Sequence, residues 1–198
     1  MVSSRLKNYL AEGLLIVFSV LFALFISSLA ESYKTKKRKN IAVESIKKEL
    51  EQNQLILQDW KSHHTVIRDR VTDILNGKND SLKQEFLKHK FFNLSLITEK
   101  GVITEILTNT AWESSKSTNI ITEFDFEQVQ DLTKAYELQS AIFDKSVTSI
   151  LELIYDKETH NMDNLEATLL QFQLQFWNLI GQEALLEHLY DAALKSIE

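Results

Sequence analysis

Residues 13–30 read GLLIVFSVLFALFISSLA, eighteen positions without a charge and with only three serines as polar interruptions. As an α-helix the run extends about 27 Å, close to the roughly 30 Å hydrocarbon core of a bilayer. Tyr9 and Leu10 lengthen it toward the N-terminus and place Glu12 at headgroup level. No other stretch approaches this length. The sequence therefore predicts an N-terminal membrane anchor, residues 1–33, followed by a water-facing domain, residues 34–198.

The domain is expected to be all-α. The chain has no proline and four glycines, where average usage predicts about ten and fourteen in this length. Sheets and long loops need those residues at turns, and helices exclude proline. There is no cysteine, so disulfides, thiolate nucleophiles and cysteine-ligated metals are excluded.

Charge is divided unevenly. Residues 1–39 carry a net +5 and residues 40–198 a net −11. An acidic domain argues against nucleic acid as a partner, because phosphate binding needs a basic surface. Lys34, Lys36, Lys37, Arg38 and Lys39 follow the apolar run directly and are the candidate contacts to lipid headgroups. Only Arg5, Lys7 and the amino terminus precede it, so the positive-inside rule places the domain in the cytoplasm. Ser28-Leu29-Ala30 also offers small residues of the kind a signal peptidase reads. Glu12 and the length of the run favour an uncleaved anchor.

Beyond the anchor the helical pattern continues. Val43, Ile46, Leu50, Asn53, Leu57, Trp60, His64, Ile67, Val71 and Ile74 recur at spacings of three and four, a continuous seam on a helix ending at Asn76-Gly77. Ser81 to Gln84 resembles a capping box opening a short helix to Phe92. Further helices are expected over residues 98–116, 125–157 and 164–196, with hydroxyl-rich loops between them. The last two are read on Val129, Leu132, Tyr136, Phe143, Val147, Ile150 and Ile154, and on Leu165, Leu169, Phe172, Phe176, Ile180, Leu185 and Leu189. Short connections predict an antiparallel helical bundle that prolongs the transmembrane helix.

No motif names a reaction. Glu-x-x-His, Gly-x-Ser-x-Gly and the phosphate-loop pattern are all absent, and with them the simplest di-iron, serine-hydrolase and nucleotide chemistries. His63-His64 point about 100° apart on a helix and have no third ligand one turn on, so they read as polar bundle positions. Phe172, Phe176 and Trp177 read as a core stripe. Trp112, followed by Glu113-Ser114-Ser115-Lys116, reads as a core plug or as the wall of a ligand pocket. Asn53, Trp60 and His64 are polar or oversized for an apolar seam. They are the candidate interface, since polar seam residues can fix the register of a helical assembly.

Tyr9 to Gly13, the apolar run with its charged exit, Lys48-Glu49-Leu50-Glu51-Gln52-Asn53 and Thr110-Ala111-Trp112-Glu113 resemble an uncharacterised bacterial "domain of unknown function" family of small single-pass membrane proteins. The resemblance covers the first 75 residues best. It implies a bacterial inner-membrane location. Members often carry Gly-Glu ahead of the anchor, where this chain has Glu12-Gly13, and their more basic N-termini imply a domain outside the cytoplasm. The family has no assigned activity, so the resemblance adds no catalytic residue and no cofactor. The reading is a non-enzymatic, membrane-anchored interaction protein whose partners are lipid and either a second copy or another membrane protein. The alternative is a ligand-binding or sensory bundle with a pocket near Trp112.

Overall fold

The structure, a computed structural model, describes residues 4–197, with side chains from residue 9 onward; Arg5 and Lys7 lie outside the described side chains. It is all-α, 84% helical, with no strand among the described residues. Helix α1 runs unbroken from Ser4 to Leu75, about 108 Å. Its first part, Tyr9 to Lys34, is exposed on every side. It includes the single described helix segment long and apolar enough to cross a membrane.

From Ile46 onward α1 becomes the spine of the domain. Ile46, Leu50, Asn53, Leu57, Trp60, His64, Ile67, Val71 and Ile74 are all buried, so the three-four seam is the face that enters the core. Gly77 ends the helix at φ +66°, a left-handed conformation that glycine adopts without steric cost. Lys78 N–H closes back on the Asp73 carbonyl at 2.9 Å, as in a Schellman cap.

Helix α2 spans Asp80–Lys88, and Asn79, rather than Ser81, caps it by accepting from Leu82 N–H. Helix α3 is Thr110–Ser117. Helix α4, Phe126–Ala141, continues through a π-helical stretch, Ile142–Val147, into α5, Thr148–Tyr155. Helix α6 is Leu165–Ser196. Gly181 does not interrupt it.

Cross-element hydrogen bonds fix the directions. Gln54 meets Asp191, His64 meets Glu183, and Thr72 meets Gln173, so α6 runs antiparallel to α1. Tyr136 meets Glu49 and Asn53 meets Gln139, so α4 runs parallel to α1. The second passage of this up-down-up-down bundle is not the helix expected over 98–116. Residues 97–109 return along α1 as an irregular strap, and only 110–117 are helical.

Side chains of α1 explain this. Arg70 donates to the Ile97 carbonyl, His63 to Gly101, His64 to Val102 and Trp60 to Glu105. Asn53 takes both backbone groups of Thr108, donating to its carbonyl at 2.7 Å and accepting from its N–H at 2.9 Å. Backbone groups that would otherwise pair within a helix are satisfied by the spine, so the strap can be buried without a ladder of its own.

Candidate functional site

The three residues expected at an interface lie inside the domain. Asn53 and His64 are fully buried and Trp60 is 1% exposed. Each has its polar atoms paired within the same chain, Asn53 with Thr108 and Gln139, Trp60 with Glu105, His64 with Val102 and Glu183. The interface expectation at these positions is corrected. Their polar groups recognise the strap, which the periodicity of α1 could not reveal because the strap has no periodicity of its own.

His64 and Glu183 form the most buried polar pair. His64 Nε2 lies 2.7 Å from the Val102 carbonyl oxygen and Nδ1 lies 2.6 Å from Glu183 Oε1. A carbonyl only accepts, so Nε2 carries a hydrogen. One more proton lies between Nδ1 and Oε1. Burial pushes the Glu183 carboxyl above its usual range, against the hydrogen bond from His64 and the charges of Lys61 and His63. Glu183 Oε2 has no hydrogen-bond partner, which also disfavours a buried carboxylate. Phe176 packs against the imidazole, ring centroids 5.6 Å apart. The pair has no opening to solvent and belongs to the core.

Trp112 is the plug. It is 4% exposed, stacks on Tyr136 with centroids 5.6 Å apart, and lies under the Lys116 ammonium at 5.5 Å. Glu49 holds its helix in place by accepting from Ala111 N–H, Trp112 N–H and the Tyr136 hydroxyl. The carboxylate thus satisfies the free N–H groups of the first turn of α3. Burial, and next the bond to Glu49, push the Tyr136 hydroxyl well above its ordinary range, so it remains a donor.

The other side of α3 lines a cavity of about 490 Å³ between α1 and the 3₁₀ turn Ile120–Glu123. Ile41, Ala42, Ala111 and Ile120 supply apolar walls, with Arg38 at the rim. The hydroxyls of Ser45, Ser115 and Thr118 donate back to carbonyls of their own helical segments. Lys34, Lys36, Lys37 and Arg38 are exposed around α1 below the domain, whereas Lys39 turns back over the Phe124 ring at 5.6 Å.

The surface feature with the least intramolecular explanation is the outer face of α6. Phe172 and Phe176 enter the core as expected, but Trp177 does not: it is 70% exposed. Leu170, Leu174, Trp177, Gly181 and Leu185 recur at spacings of three and four along the side of α6 opposite the buried Phe172, Leu179, Glu183, Leu186 and Tyr190. The core register after Phe176 therefore runs through Leu179, Glu183, Leu186 and Tyr190, and not through Ile180, Leu185 and Leu189. A carboxylate in a core position hid it. Of the outer stripe, Trp177 and Leu185 are expected in the core and are exposed instead, while Leu170 and Leu174 stand outside the expected series. Residues 167–182 contain no charged residue at all.

No group of three or more His, Cys, Asp or Glu able to hold a metal ion occurs among the described residues. No family model, no curated protein and no solved structure matches the chain.

Proposed function

We propose that this chain is a membrane-anchored interaction protein, in which α1 crosses the bilayer and carries a helical domain that works by protein–protein contact rather than by catalysis. The observation that carries the reading is the exposed apolar face of α6, on a helix segment without charge in a domain of net charge −11. Interface cores are depleted of charge and enriched in aromatics, and an exposed apolar stripe of this length on a soluble domain marks an interaction site. The basic residues from Lys34 to Arg38 lie within about 12 Å of Ala30 along α1, near enough to an anionic membrane surface for each to contribute about 1 kcal/mol. Their excess over Arg5 and Lys7 ahead of the apolar run supports a cytoplasmic domain, and the resemblance of the first 75 residues supports a bacterial membrane.

The test is protection of the face in native membranes. In this cysteine-free chain, Leu174→Cys should be shielded from a membrane-impermeant maleimide in inverted membrane vesicles and become reactive after dilution in detergent. Equal, rapid labelling in both states removes the reading.

The cavity beside α3 favours a second reading, a site for a small amphiphile. Its volume falls within the range of ligand pockets, and Arg38 lies about 12 Å along α1 beyond Ala30, just outside the headgroup layer. Ala42→Trp would fill it. Loss of a co-purifying lipid, with the melting temperature unchanged, supports that reading; retention of the same lipid removes it.

A further inference from the structure

We infer that the partner on the outer face of α6 is a second copy of this chain, packed side by side in the same membrane with the two α6 helices parallel and in register. The inference rests on the membrane-anchored reading and adds the identity and orientation of the partner.

Height comes first. Thr72 of α1 lies beside Gln173 and His64 beside Glu183, so the stripe stands about 45–65 Å along α1 beyond Ala30. It is out of reach of the bilayer, and lipid does not cover it. Because α6 runs antiparallel along an unbroken α1, the stripe faces sideways, toward whatever is anchored next to it.

Charge selects the kind of neighbour. Residues 40–198 carry a net −11, so a copy of the same domain is repelled from most of this surface. Residues 167–182 are the longest uncharged stretch in the domain; Gln171 and Asn178 are exposed beside the stripe, while Gln173 and Gln175 bond to Thr72 and Ser149 of the same chain. Beside Leu174 and Trp177, α1 contributes Arg68 and Asp69, paired with each other at 2.6 Å, so the face and its border carry no net charge and can meet a copy of themselves, as an isologous contact requires. A basic partner would instead be expected at one of the acidic faces.

Shape agrees. Gly181 lies in the middle of a 32-residue helix, where glycine is less favourable than alanine. A Cβ built there meets nothing within 4 Å, so no contact inside the chain calls for it. On the stripe, one turn from Trp177, it lowers the surface and lets a facing helix approach. Leu170, Leu174, Trp177 and Leu185 expose 48%, 59%, 70% and 51% of their surface. Together these side chains offer roughly 500 Å² of surface per copy. A symmetric pair would thus bury about 1,000 Å², near the lower bound of specific interfaces. Anchoring both copies in one membrane supplies the effective concentration that a contact of this size needs.

The experiment uses the full chain in native membranes. Single cysteines are placed at Leu174→Cys and Gly181→Cys, which face their own copies across a parallel two-fold axis, and at the exposed Glu137→Cys on the far side of α4 as a control. Mild oxidation should give disulfide-linked dimers from the first two and none from the third. Trp177→Glu in the Leu174→Cys background should reduce the dimer about tenfold or more, with helicity and melting temperature unchanged because position 177 is exposed. Cross-linking only between Leu174→Cys on one copy and Gly181→Cys on the other, when the two variants are co-expressed, overturns the parallel arrangement. No cross-link at either stripe position, while Leu174→Cys stays shielded from maleimide, overturns the second copy and leaves the interaction reading standing with a different partner. No cross-link with free labelling overturns both.

Discussion

At the scale of single residues, the domain is organised by polar groups that α1 sends inward. His64 illustrates the energetics. Removing it strands the Val102 carbonyl and leaves Glu183 buried without its partner, so His64→Ala should cost about 3–5 kcal/mol in denaturant unfolding. Glu183 makes the stability of the domain depend on pH. Burial raises its carboxyl above the ordinary 4.5. The protonated form is therefore favoured by folding, and the group's contribution is full below pH about 4.5 and is lost as pH rises through the folded value. Glu183→Gln cannot ionise, so its stability relative to the native chain should improve between acid and neutral pH. A stability difference flat over that interval would show that the carboxyl titrates normally. Trp112 is 4% exposed and stacked on Tyr136, and Trp112→Ala should lower stability by about 3–5 kcal/mol. The polar members of the α1 seam, Asn53 and His64, stood out in the sequence, and their burial followed from the spacing. Their partners did not, because Glu183 and Gln139 sit at positions that pattern reasoning assigns to solvent.

At the scale of elements, the strap and α4 show where local pattern and tertiary context part. Residues 98–116 contain helix-compatible residues with an apolar face, yet 97–109 are irregular, because five side chains of α1 compete for their backbone groups and the core rewards their burial. Asn53 makes the decisive contact by holding both backbone groups of Thr108. Asn53→Ala should therefore act locally, and hydrogen exchange at the Thr108 amide should accelerate far more than at amides in the middle of α6. Uniform acceleration throughout the domain would mean that strap and bundle unfold together. In the helix after α3, the π-helical stretch Ile142–Val147 brings Ile142 into the core and leaves Phe143 43% exposed. A π turn adds a residue to the ladder and shifts the face that follows. The expected series through Phe143 assumed an uninterrupted period. Helix α6 departs from the expected series after Phe176 for the complementary reason: it carries two apolar stripes, and Glu183 inside with Trp177 outside tells which one is the core.

At the scale of the whole molecule, a single helix links the apolar segment to the domain core with no hinge, since α1 has no proline and is continuous from Ser4 to Leu75. Its one glycine, Gly13, lies at the start of the apolar run. The all-α fold, the length of the spine and the end at Gly77 were legible because they depend on composition and on one long period. The parallel relation of α1 and α4 was not, because it follows from an irregular return passage. Continuity makes the anchor testable through the domain it carries. If the segment Gly13–Ala30 spans a bilayer, carbonate washing should leave the full-length chain in the membrane pellet, with its original N-terminus. Replacing Leu21 and Leu24 by aspartate places two charges near the centre of the span, at about 3 kcal/mol each on insertion scales, and should move a large fraction of the chain to the supernatant. The domain released in this way should keep its helicity and melting temperature, because Tyr9 to Lys34 are exposed on every side and, among the described residues, contacts with the core begin at Ala42 and full burial at Ile46. Release of the unaltered chain by carbonate, or a mature terminus at Glu31, would mean that the run is an export signal and that α1 begins in solution at the basic segment.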